Sequence, residues 1–449
     1  MSKKILIDAL NNKETSRIPW VPFVGCHAAK LIGVTADEYF KSEENIYNGV
    51  KKAIEEYRPD GIPSLFDLQL EAEVLGCGLK WAAENPPSVS SHPLEDGVKL
   101  EDLKLPTKND GRFPIVLNAT RRLCEDFGND VAIYGLITGP FTLALHLMGT
   151  DIFFEMLDNP ENMGKLMEFC EDVCHATAKM YIDAGVDVIA VVDPMTSQIS
   201  PDNFSEFVAP YCERIFAKIK EQGVLSSFFV CGNAQRNIEE MCKTKPNNIS
   251  IDENIPLEFV KDMCQKYDIS FGGNIKLTIT MLFGTPTDNI NDAQNCAAIG
   301  GNKGFILAPG CDMPFATPIE NVKAVTSFVY GEIAEFMESA NVLDDVVYDL
   351  PDYATESDVI IDVITLDSAC CAPCQYMMNA VKDACNGLSN VTYIEHKIKE
   401  KESVVCMLKL GVANIPTICI DGEIKHVSII PDVPTLRAEI VAAIEKKCS

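Results

Sequence analysis

The sequence predicts an α/β protein, in which a parallel (β/α)8 barrel is followed by a smaller α/β domain. Short apolar runs alternate with amphipathic stretches along most of the chain, as in a parallel sheet covered by helices. Two of these runs end in cysteine, at Cys231 and Cys311, and in such barrels the strand ends form the active face. A chain of 449 residues is longer than a single hydrophobic core usually accommodates, so we expect at least two domains.

The barrel is predicted over residues 1–340. Its eight strands are predicted at Ile18–Gly25, Gly61–Asp67, Val131–Pro140, Val186–Pro194, Val224–Gly232, Asn247–Asn254, Ile269–Ile275 and Gly304–Cys311. Apolar residues recur at helical spacing in Glu38–Tyr57, Phe113–Phe127, Asp151–Ala184, Ser205–Glu221, Leu257–Tyr267 and the closing helix Ile319–Met337. The stretch Leu79–Leu94 is rich in proline and serine, which predicts an excursion after the second strand.

An acidic, proline-containing linker is predicted at residues 341–357, and a second domain at 358–449. The order of strands and helices in this second domain differs from the regular alternation of the barrel. The predicted elements are strand Val359–Leu366, helix Gln375–Leu388, strand Val391–His396, helix Ser403–Leu410, strands Thr417–Ile420 and Glu423–Ile430, and helix Val433–Lys447.

Charge and composition exclude several classes of function. The formal net charge is −28, which repels phosphate backbones and argues against nucleic-acid binding. The N-terminus lacks the pattern of a signal peptide and no apolar run reaches membrane-spanning length, so we expect a cytoplasmic protein with no membrane partner. The 18 cysteines are scattered, and most are expected to be reduced thiols, a composition that fits an anaerobe.

The second domain carries a redox motif, Cys371-Ala-Pro-Cys374, between a predicted strand and helix. A helix N-terminus lowers the pKa of the first thiol, and two cysteines at this spacing are able to close a disulfide. The last 90 or so residues resemble the thioredoxin/glutaredoxin family, in which Pro416 matches the cis-proline position. The alternative is a docking domain whose thiols have no redox role, and Cys370 is a neighbour able to divert the pairing.

Polar groups cluster at or just beyond the predicted barrel strand ends, where active-site groups are expected. They are Cys26, His27, Asp67, Gln69, Asp193, Cys231, Asn233, Asp252, Glu253, Asn274, Cys311 and Asp312. Two thiolates with an imidazole or carboxylate would make a four-coordinate zinc site open to a substrate atom. The histidines at positions 146, 175, 396 and 426 are expected to be structural or surface groups.

Residues 1–340 resemble the uroporphyrinogen decarboxylase superfamily. The matching stretches are Gly139-Pro140-Phe141-Thr142-Leu143, Asp193-Pro194, Cys231-Gly232-Asn233, Gly273-Asn274 and Gly310-Cys311 with Thr317-Pro318-Ile319-Glu320-Asn321. The decarboxylases carry Arg-Gln-Ala-Gly-Arg after the first strand, whereas this chain has Gly25-Cys26-His27-Ala28-Ala29-Lys30. Porphyrinogen decarboxylation is therefore not expected.

The resemblance is stronger to the corrinoid-linked methyltransferase branch. Its thiol-methylating members bind zinc through His-x-Cys and a later cysteine, which Cys231 and Cys311 match, whereas Phe229 stands at the histidine position. His27 is the leading replacement for that histidine, or else a structural hydrogen-bonding residue. Asp252 and Glu253 are candidates for a carboxylate ligand or a general acid.

A second pattern resembles the O-demethylase methyltransferases, whose zinc motif is Glu-x14-Glu-x20-His. Glu56, Glu71 and His92 have this spacing, and two carboxylates with an imidazole are reasonable zinc ligands. The alternative is that Glu56 is the solvated end of a helix in a glutamate-rich chain.

The resemblance implies methyl transfer between a small methylated substrate, such as a methyl ether, and the cobalt of a separate corrinoid protein. Zinc would act as a Lewis acid, Asn233 and Asn274 would contact substrate, and Asp193 would be catalytic or simply end its strand. The thioredoxin-like domain would keep Cys231 and Cys311 reduced, with a thiol reductant or reductase as a further partner. The alternatives are a redox-sensing or scaffold protein with a non-catalytic barrel, and a decarboxylase of another acidic substrate.

Overall fold

The structure is a computed structural model that describes residues 2–333, 346–369, 371–412 and 414–448. The chain divides into two compact units, Met1–Ser339 and Ala340–Ser449. The first part of the predicted linker, residues 341–345, lies outside the described residues, as does the end of the predicted helix Ile319–Met337.

The first unit contains a seven-stranded parallel sheet whose strand order follows the chain. Its strands are β1 (Gly61–Pro63), β4 (Ala132–Thr138), β5 (Val188–Val192), β6 (Leu225–Val230), β7 (Asn248–Ile251), β8 (Ser270–Ile275) and β9 (Phe305–Pro309). A short antiparallel hairpin of β2 (Leu79–Lys80) and β3 (Ser88–Val89) lies within the excursion predicted after β1. Seven of the eight predicted strands are confirmed.

The prediction of a strand at Ile18–Gly25 is wrong. Two prolines within this stretch lack the N–H group that a ladder requires, and only an isolated parallel bridge forms, between Trp20 and Leu307 of β9. The carbonyl of Trp20 also accepts a hydrogen bond from the N–H of Asp60, next to β1, at 2.9 Å. The extended segment at Trp20 therefore connects the two edges of the sheet.

Helices cover this sheet. They are α1 (Ser2–Leu10), α2 (His27–Leu31), α3 (Ala36–Phe40), α4 (Glu43–Tyr57), α5 (Leu70–Val74), α6 (Phe113–Phe127), α7 (Pro140–Met148), α8 (Ile152–Asp158), α9 (Pro160–Ala184), α10 (Pro201–Phe207), α11 (Ala209–Glu221), α12 (Ile238–Lys243), α13 (Leu257–Lys266), α14 (Pro286–Gly300) and α15 (Ile319–Tyr330). Short 3-10 segments lie at 100–102, 149–151, 194–198 and 235–237, and a π-helical turn at Leu277–Leu282. None of the helices in the described ranges is long and apolar enough to cross a membrane.

Three long predicted helices are each interrupted, two of them at a side-chain cap and the third at a proline. Ser42 accepts a hydrogen bond from the N–H of Asn45 and starts α4 anew after α3, as serine does at an N-cap. Asn159 caps α9 in the same way, with Pro160 in its first turn. A proline in the first turn of α11 likewise separates it from α10.

The second unit has a four-stranded sheet in the order β11-β10-β12-β13. Strand β10 pairs parallel with β11 and antiparallel with β12. The elements are β10 (Val359–Thr365), α16 (Ala372–Cys385), β11 (Val391–Lys397), α17 (Lys401–Lys409), β12 (Thr417–Ile420), β13 (Glu423–Val427) and α18 (Val433–Cys448). Each lies where a strand or helix was predicted.

The two faces of β10 have different environments. Val359, Ile361 and Val363 pack into one apolar core with side chains of α16 and α18. Because alternate residues of a strand point to opposite faces, Asp362 faces away from that core.

Candidate functional site

Cys231 directly follows β6, Cys311 lies two residues beyond β9, and their sulfur atoms lie 2.8 Å apart. The two strands are not neighbours in the sheet, so the curvature of the sheet brings their ends together. Both are free thiols and half-buried. The pKa of Cys231 is raised well above its ordinary value by the Cys311 contact, then by burial and the nearby charges of Asp252 and Glu253.

Asp252 supports this thiol pair through the backbone. One carboxylate oxygen accepts a hydrogen bond from the N–H of Gly232 at 2.5 Å, and the other accepts from the N–H of Asn254 at 3.0 Å. Burial raises the pKa of Asp252 to about 7. Both of its oxygens are occupied, so Asp252 is built to hold the chain that follows Cys231.

Glu253 differs from Asp252, because one of its two carboxylate oxygens has no hydrogen-bond partner. Oε1 accepts a hydrogen bond from the N–H of Leu277, at the start of the π-helical turn, at 3.1 Å. Oε2 is buried without a hydrogen-bond partner, and it lies so close to Gly310 that a Cβ there would not fit. Burial and then the charge of Asp252 raise the pKa of Glu253 to about 8. An unpaired buried carboxylate next to the thiol-bearing segment is a candidate ligand or acid.

The two predicted substrate-binding asparagines differ in their surroundings. Asn274 donates from its amide to the carbonyls of Asp252 at 3.1 Å and Ile255 at 2.9 Å, so it braces the loop after β7. Its preceding peptide bond, Gly273–Asn274, is cis. Asn233 lies two residues after Cys231 and is half-buried.

His27 has both ring nitrogens engaged. Nδ1 contacts the carbonyl of Phe315 at 3.2 Å and Nε2 contacts the hydroxyl of Tyr57 at 2.7 Å. Burial lowers the pKa of His27 to about 4, so the ring is neutral. This arrangement favours the structural alternative for His27 over the replacement of the missing histidine.

Phe229, which stands where the thiol-methylating members have histidine, belongs to an aromatic cluster. The ring of Phe229 lies 5.2 Å from that of Phe23 and 5.9 Å from that of Phe66. All three belong to the barrel core, against which Cys231 and Cys311 pack. The thiols therefore have an apolar neighbour where the family pattern has a nitrogen ligand.

Asp193 caps a helix. Its Oδ1 accepts from the N–H of Thr142 at 2.7 Å and from the Thr142 hydroxyl at 2.6 Å, and its Oδ2 accepts from the N–H of Phe141 at 3.1 Å. Burial raises the pKa of Asp193 to about 6. These bonds satisfy the first turn of α7, a structural task.

Glu56, Glu71 and His92 have separate partners. Glu56 pairs with Lys52 and Lys323, both at 2.7 Å, and these bonds lower its pKa to about 2. Glu71 is buried and accepts from the hydroxyl of Thr138 at 2.9 Å, and burial raises its pKa to about 7. Nδ1 of His92 lies 2.9 Å from the carbonyl of His146. The paired lysines fit the alternative that Glu56 ends a solvated helix.

Within the described ranges, one group of three His, Cys, Asp or Glu side chains has its ligand atoms all within 4.8 Å of one another: Asp362, His396 and Cys406. It lies in the second unit. Neither the thiol pair with a third such ligand nor the Glu56, Glu71 and His92 set meets that distance. Sequence reasoning missed this group, because strand pairing rather than spacing brings it together.

A buried arginine is another group that the sequence reasoning overlooked. Arg112 pairs with Asp67 at 2.7 Å and Glu73 at 2.6 Å, and its guanidinium lies 5.0 Å from the ring centre of Trp81. Its Nη2 is buried without a partner. Asp67 lies just beyond β1, so this unpaired donor is associated with the strand-end face.

The redox motif lies at the start of α16. Cys371 and Cys374 form a disulfide with Cα atoms 5.2 Å apart, and Cys371 is the N-cap. The sulfur of Cys374 accepts from the N–H of Leu366 at 3.4 Å. The Ile415–Pro416 peptide is cis, and Cys370 lies outside the described residues.

Comparisons with known proteins agree with this fold. Residues 1–331 match the family described as uroporphyrinogen decarboxylase (URO-D). A methylcobamide:CoM methyltransferase MtbA of Methanosarcina acetivorans is 31% identical over 261 residues, 58% of this chain and 76% of that protein. The MtbA of Methanosarcina mazei is 27% identical over 72% of this chain and 95% of its own length. A solved methyltransferase structure from Methanosarcina mazei has a TM-score of 0.69 at 24% identity, covering 74% of this chain and 99% of its own.

Proposed function

Because the chain belongs to the uroporphyrinogen decarboxylase family, in its corrinoid-dependent methyltransferase branch, we propose that it moves a methyl group between a separate corrinoid protein and a small substrate. The observation that carries this proposal is the 2.8 Å approach of the Cys231 and Cys311 sulfurs at the strand-end face. The related proteins are named for transfer between methylcobamide and CoM.

Each donor is of a type that zinc accepts, although among the described residues no third ligand of these types lies within 4.8 Å of both thiols. Cys231 and Cys311 supply two thiols, and the buried Oε2 of Glu253 has no other partner. Thiolate and carboxylate are both ligands that zinc accepts. In our proposal Cys231, Cys311 and Glu253 hold the metal, whereas Asp252 is less suited because both of its oxygens are already bonded. Bound zinc would supply Lewis acidity toward an ether oxygen or a thiol sulfur.

The remaining groups position and shield the reacting atoms. Asp252 fixes the residue after Cys231, and Asn274 in turn holds the loop that carries Asp252. The apolar wall formed by Phe23, Phe66 and Phe229 keeps water from one side of the thiols, which strengthens electrostatic interactions at the site. Arg112 offers a buried N–H group to an anionic substituent of the substrate.

We favour a small thiol over a methyl ether as the substrate. The methyl ether alternative rests on the Glu56, Glu71 and His92 pattern, and Glu56 is held by two lysines. The thiol alternative uses the cysteine pair, which lies together. The methyl group would then pass from cobalt to the sulfur of the thiol, whose proton leaves to solvent, while cobalt keeps the electron pair of the broken bond.

We further propose that the second unit is a thioredoxin-like thiol–disulfide module. Its β-α-β-α-β-β-α order, with a parallel then an antiparallel pairing of β10, supports this assignment, as does the disulfide at the start of α16. Reduced Cys371 and Cys374 would pass two electrons and two protons to an oxidised Cys231–Cys311 pair. A thiol reductant or a reductase would then restore the dithiol.

The test is a methyl-transfer assay with the anaerobically purified full chain. Methylcobalamin with a series of small thiols, and cob(I)alamin with methyl ethers, report transfer through the absorbance of the cobalt–methyl bond. We expect turnover with thiols, lowered by about 100-fold or more in Cys311→Ser. Cys212→Ser is the matched control, because Cys212 is a buried cysteine of α11.

Other outcomes would point elsewhere. No transfer with any pair of substrates, together with thiol-dependent redox cycling, would replace the proposal with the redox-sensing or scaffold alternative, which the aromatic residue at position 229 favours. Release of carbon dioxide from an acidic substrate would replace it with a decarboxylase. Equal activity in Cys311→Ser and the wild type would remove the cysteine pair from the mechanism.

A further inference from the structure

Three buried side chains meet on the second face of the sheet in the C-terminal unit. They are Asp362 of β10, His396 of β11 and Cys406 of α17, and their ligand atoms all lie within 4.8 Å of one another. Nε2 of His396 lies 2.8 Å from Oδ1 of Asp362. This face of β10 is opposite the core formed with α16, so the group is separate from the redox disulfide.

Burial decides what such a group is able to do. Asp362 is 1% exposed, His396 5% and Cys406 0%. A Cys-His-Asp set is also found in nucleophilic enzymes, but a thiol with no exposed surface has no access to a substrate. Carboxylate, imidazole and thiol are all ligands that zinc accepts, and structural zinc sites are closed to substrate.

The distances also suit zinc. Zinc lies about 2.0–2.1 Å from nitrogen and about 2.3 Å from sulfur, so the atoms of one coordination shell lie about 3–4 Å from each other. The three ligand atoms here already fall within 4.8 Å. The Asp362–His396 hydrogen bond, at 2.8 Å, would have to open to admit the ion between its two atoms.

A candidate fourth ligand lies on the neighbouring strand, outside the group of three defined by the 4.8 Å distance. Cys419 of β12 is directly opposite Asp362 in the antiparallel pairing, so both side chains point to the same face at a Cβ separation of about 5 Å. Cys419 is fully buried.

The outer partners of the group resemble those around a metal. The hydroxyl of Tyr353 donates to Oδ2 of Asp362 at 2.8 Å, which leaves Oδ1 directed at His396. Tyr348 lies edge-on against the His396 ring, with ring centres 6.0 Å apart. Hydrogen bonds to the free oxygen of a ligating carboxylate orient it toward the metal.

We propose that Asp362, His396, Cys406 and Cys419 form a structural zinc site that joins β10, β11, β12 and α17. The site does not depend on the methyl-transfer proposal, since none of its residues belongs to the barrel. It would stabilise a small unit by fixing α17 to the sheet, in the way that structural zinc contributes directly to folding.

The test uses the full chain with Cys231→Ser and Cys311→Ser, which removes the barrel thiols as an alternative site. The probe is Co(II) alone, added to anaerobic, metal-free protein. We expect about one equivalent to bind per chain with tetrahedral d–d bands and a thiolate-to-cobalt charge-transfer band. Cys406→Ser should weaken binding at least 10-fold, while Cys385→Ser should leave it unchanged, because Cys385 lies in the apolar core on the other face.

A second measurement avoids reliance on variants that unfold. X-ray absorption of the Co(II)-loaded double variant should show two sulfur and two nitrogen or oxygen neighbours. One sulfur, with no change in Cys419→Ser, would remove Cys419 from the site. Absence of Co(II) binding, or a shell without sulfur, would overturn the proposal as a whole. Methyl-transfer activity is a separate readout, so failure of one proposal does not obscure the other.

Discussion

The carboxylate of Asp252 accepts a hydrogen bond from the backbone N–H of Gly232 at 2.5 Å. This bond joins the end of β7 to the residue that follows Cys231. The position of the first thiol therefore depends on a carboxylate that immediately follows the next strand. The same carboxylate also organises its own loop through Asn254.

Asp252→Asn should lower both stability and methyl-transfer activity. An amide presents an N–H group where Gly232 and Asn254 require acceptors, and a buried donor left unsatisfied costs about 1–3 kcal/mol. Urea unfolding measures the change, and the transfer assay measures the displacement of Cys231. Asp202→Asn is the control, because Asp202 is exposed in the first turn of α10. Equal stability of the two variants would contradict this account.

Glu71→Gln should flatten the dependence of stability on pH. Burial raises the pKa of Glu71 to about 7, so the folded state binds this proton more tightly than the unfolded state. The resulting stabilisation is complete below about pH 4.5 and is lost as the pH rises through about 7, by at most about 3 kcal/mol. The amide oxygen of glutamine still accepts from the N–H of Thr138. Its N–H group donates to the Thr138 hydroxyl, which itself donates to the carbonyl of Leu68, and the amide does not titrate.

The measurement for Glu71 is the free energy of unfolding between about pH 5 and pH 8. Glu56→Gln is the matched control, because bonds to Lys323 and Lys52 lower the pKa of Glu56 to about 2. The stabilisation from the Glu56 ion pairs is fully present above the pKa of an unfolded glutamate, and it is lost only as the pH falls toward about 2. It is therefore constant between about pH 5 and pH 8. A slope in Glu71→Gln as steep as in the wild type would rule out Glu71 as its source.

Phe229→His should lower the stability of the metal-free protein and raise its affinity for zinc. Phe229 is buried against Phe23 and Phe66, and an unpaired imidazole there should cost about 1–3 kcal/mol in the metal-free protein. With zinc, the new nitrogen completes the His-x-Cys pattern with Cys231 and the loss should be recovered. Thermal unfolding with and without zinc measures both effects. Phe229→Leu should lose stability and gain no more from zinc than the wild type does. Equal zinc-dependent gains in the two variants would argue against a metal next to position 229.

Replacing Cys371 and Cys374 by serine should spare methyl transfer under strong reductant and impair its recovery after mild oxidation. The reason is that the proposed module restores the Cys231 and Cys311 thiols but takes no part in the transfer. Activity after diamide treatment and dilution into a reducing buffer measures the recovery, with Cys385→Ser as the control. Loss of activity in strong reductant would assign the pair a different role.

The order of elements was largely predictable from local patterns. Seven barrel strands and all seven elements of the second unit lie where apolar periodicity placed them. The error at Ile18–Gly25 has a physical cause, since prolines removed the N–H groups that a strand needs. The split helices have a similar cause in local caps such as Ser42 and Asn159.

The candidate site was predictable only in part. The strand-end position of Cys231 and Cys311 is a local property, and their proximity followed from the predicted barrel. The engagement of His27 by Tyr57 and Phe315, and of Glu56 by Lys323, joins residues far apart in the chain. No spacing rule contains that information.

The sequence by itself determined the alternation of strands and helices, the thiols at two strand ends and the cysteine motif before α16, because each depends on neighbouring residues. Only the tertiary structure decided which polar groups already have partners. Asp193 and Asp252 are occupied by backbone N–H groups, whereas Glu253 keeps an unpaired oxygen. The tertiary structure also brings Asp362, His396 and Cys406 together. Side-chain chemistry is set by the residue, but its availability is set by burial and by the partners that folding supplies.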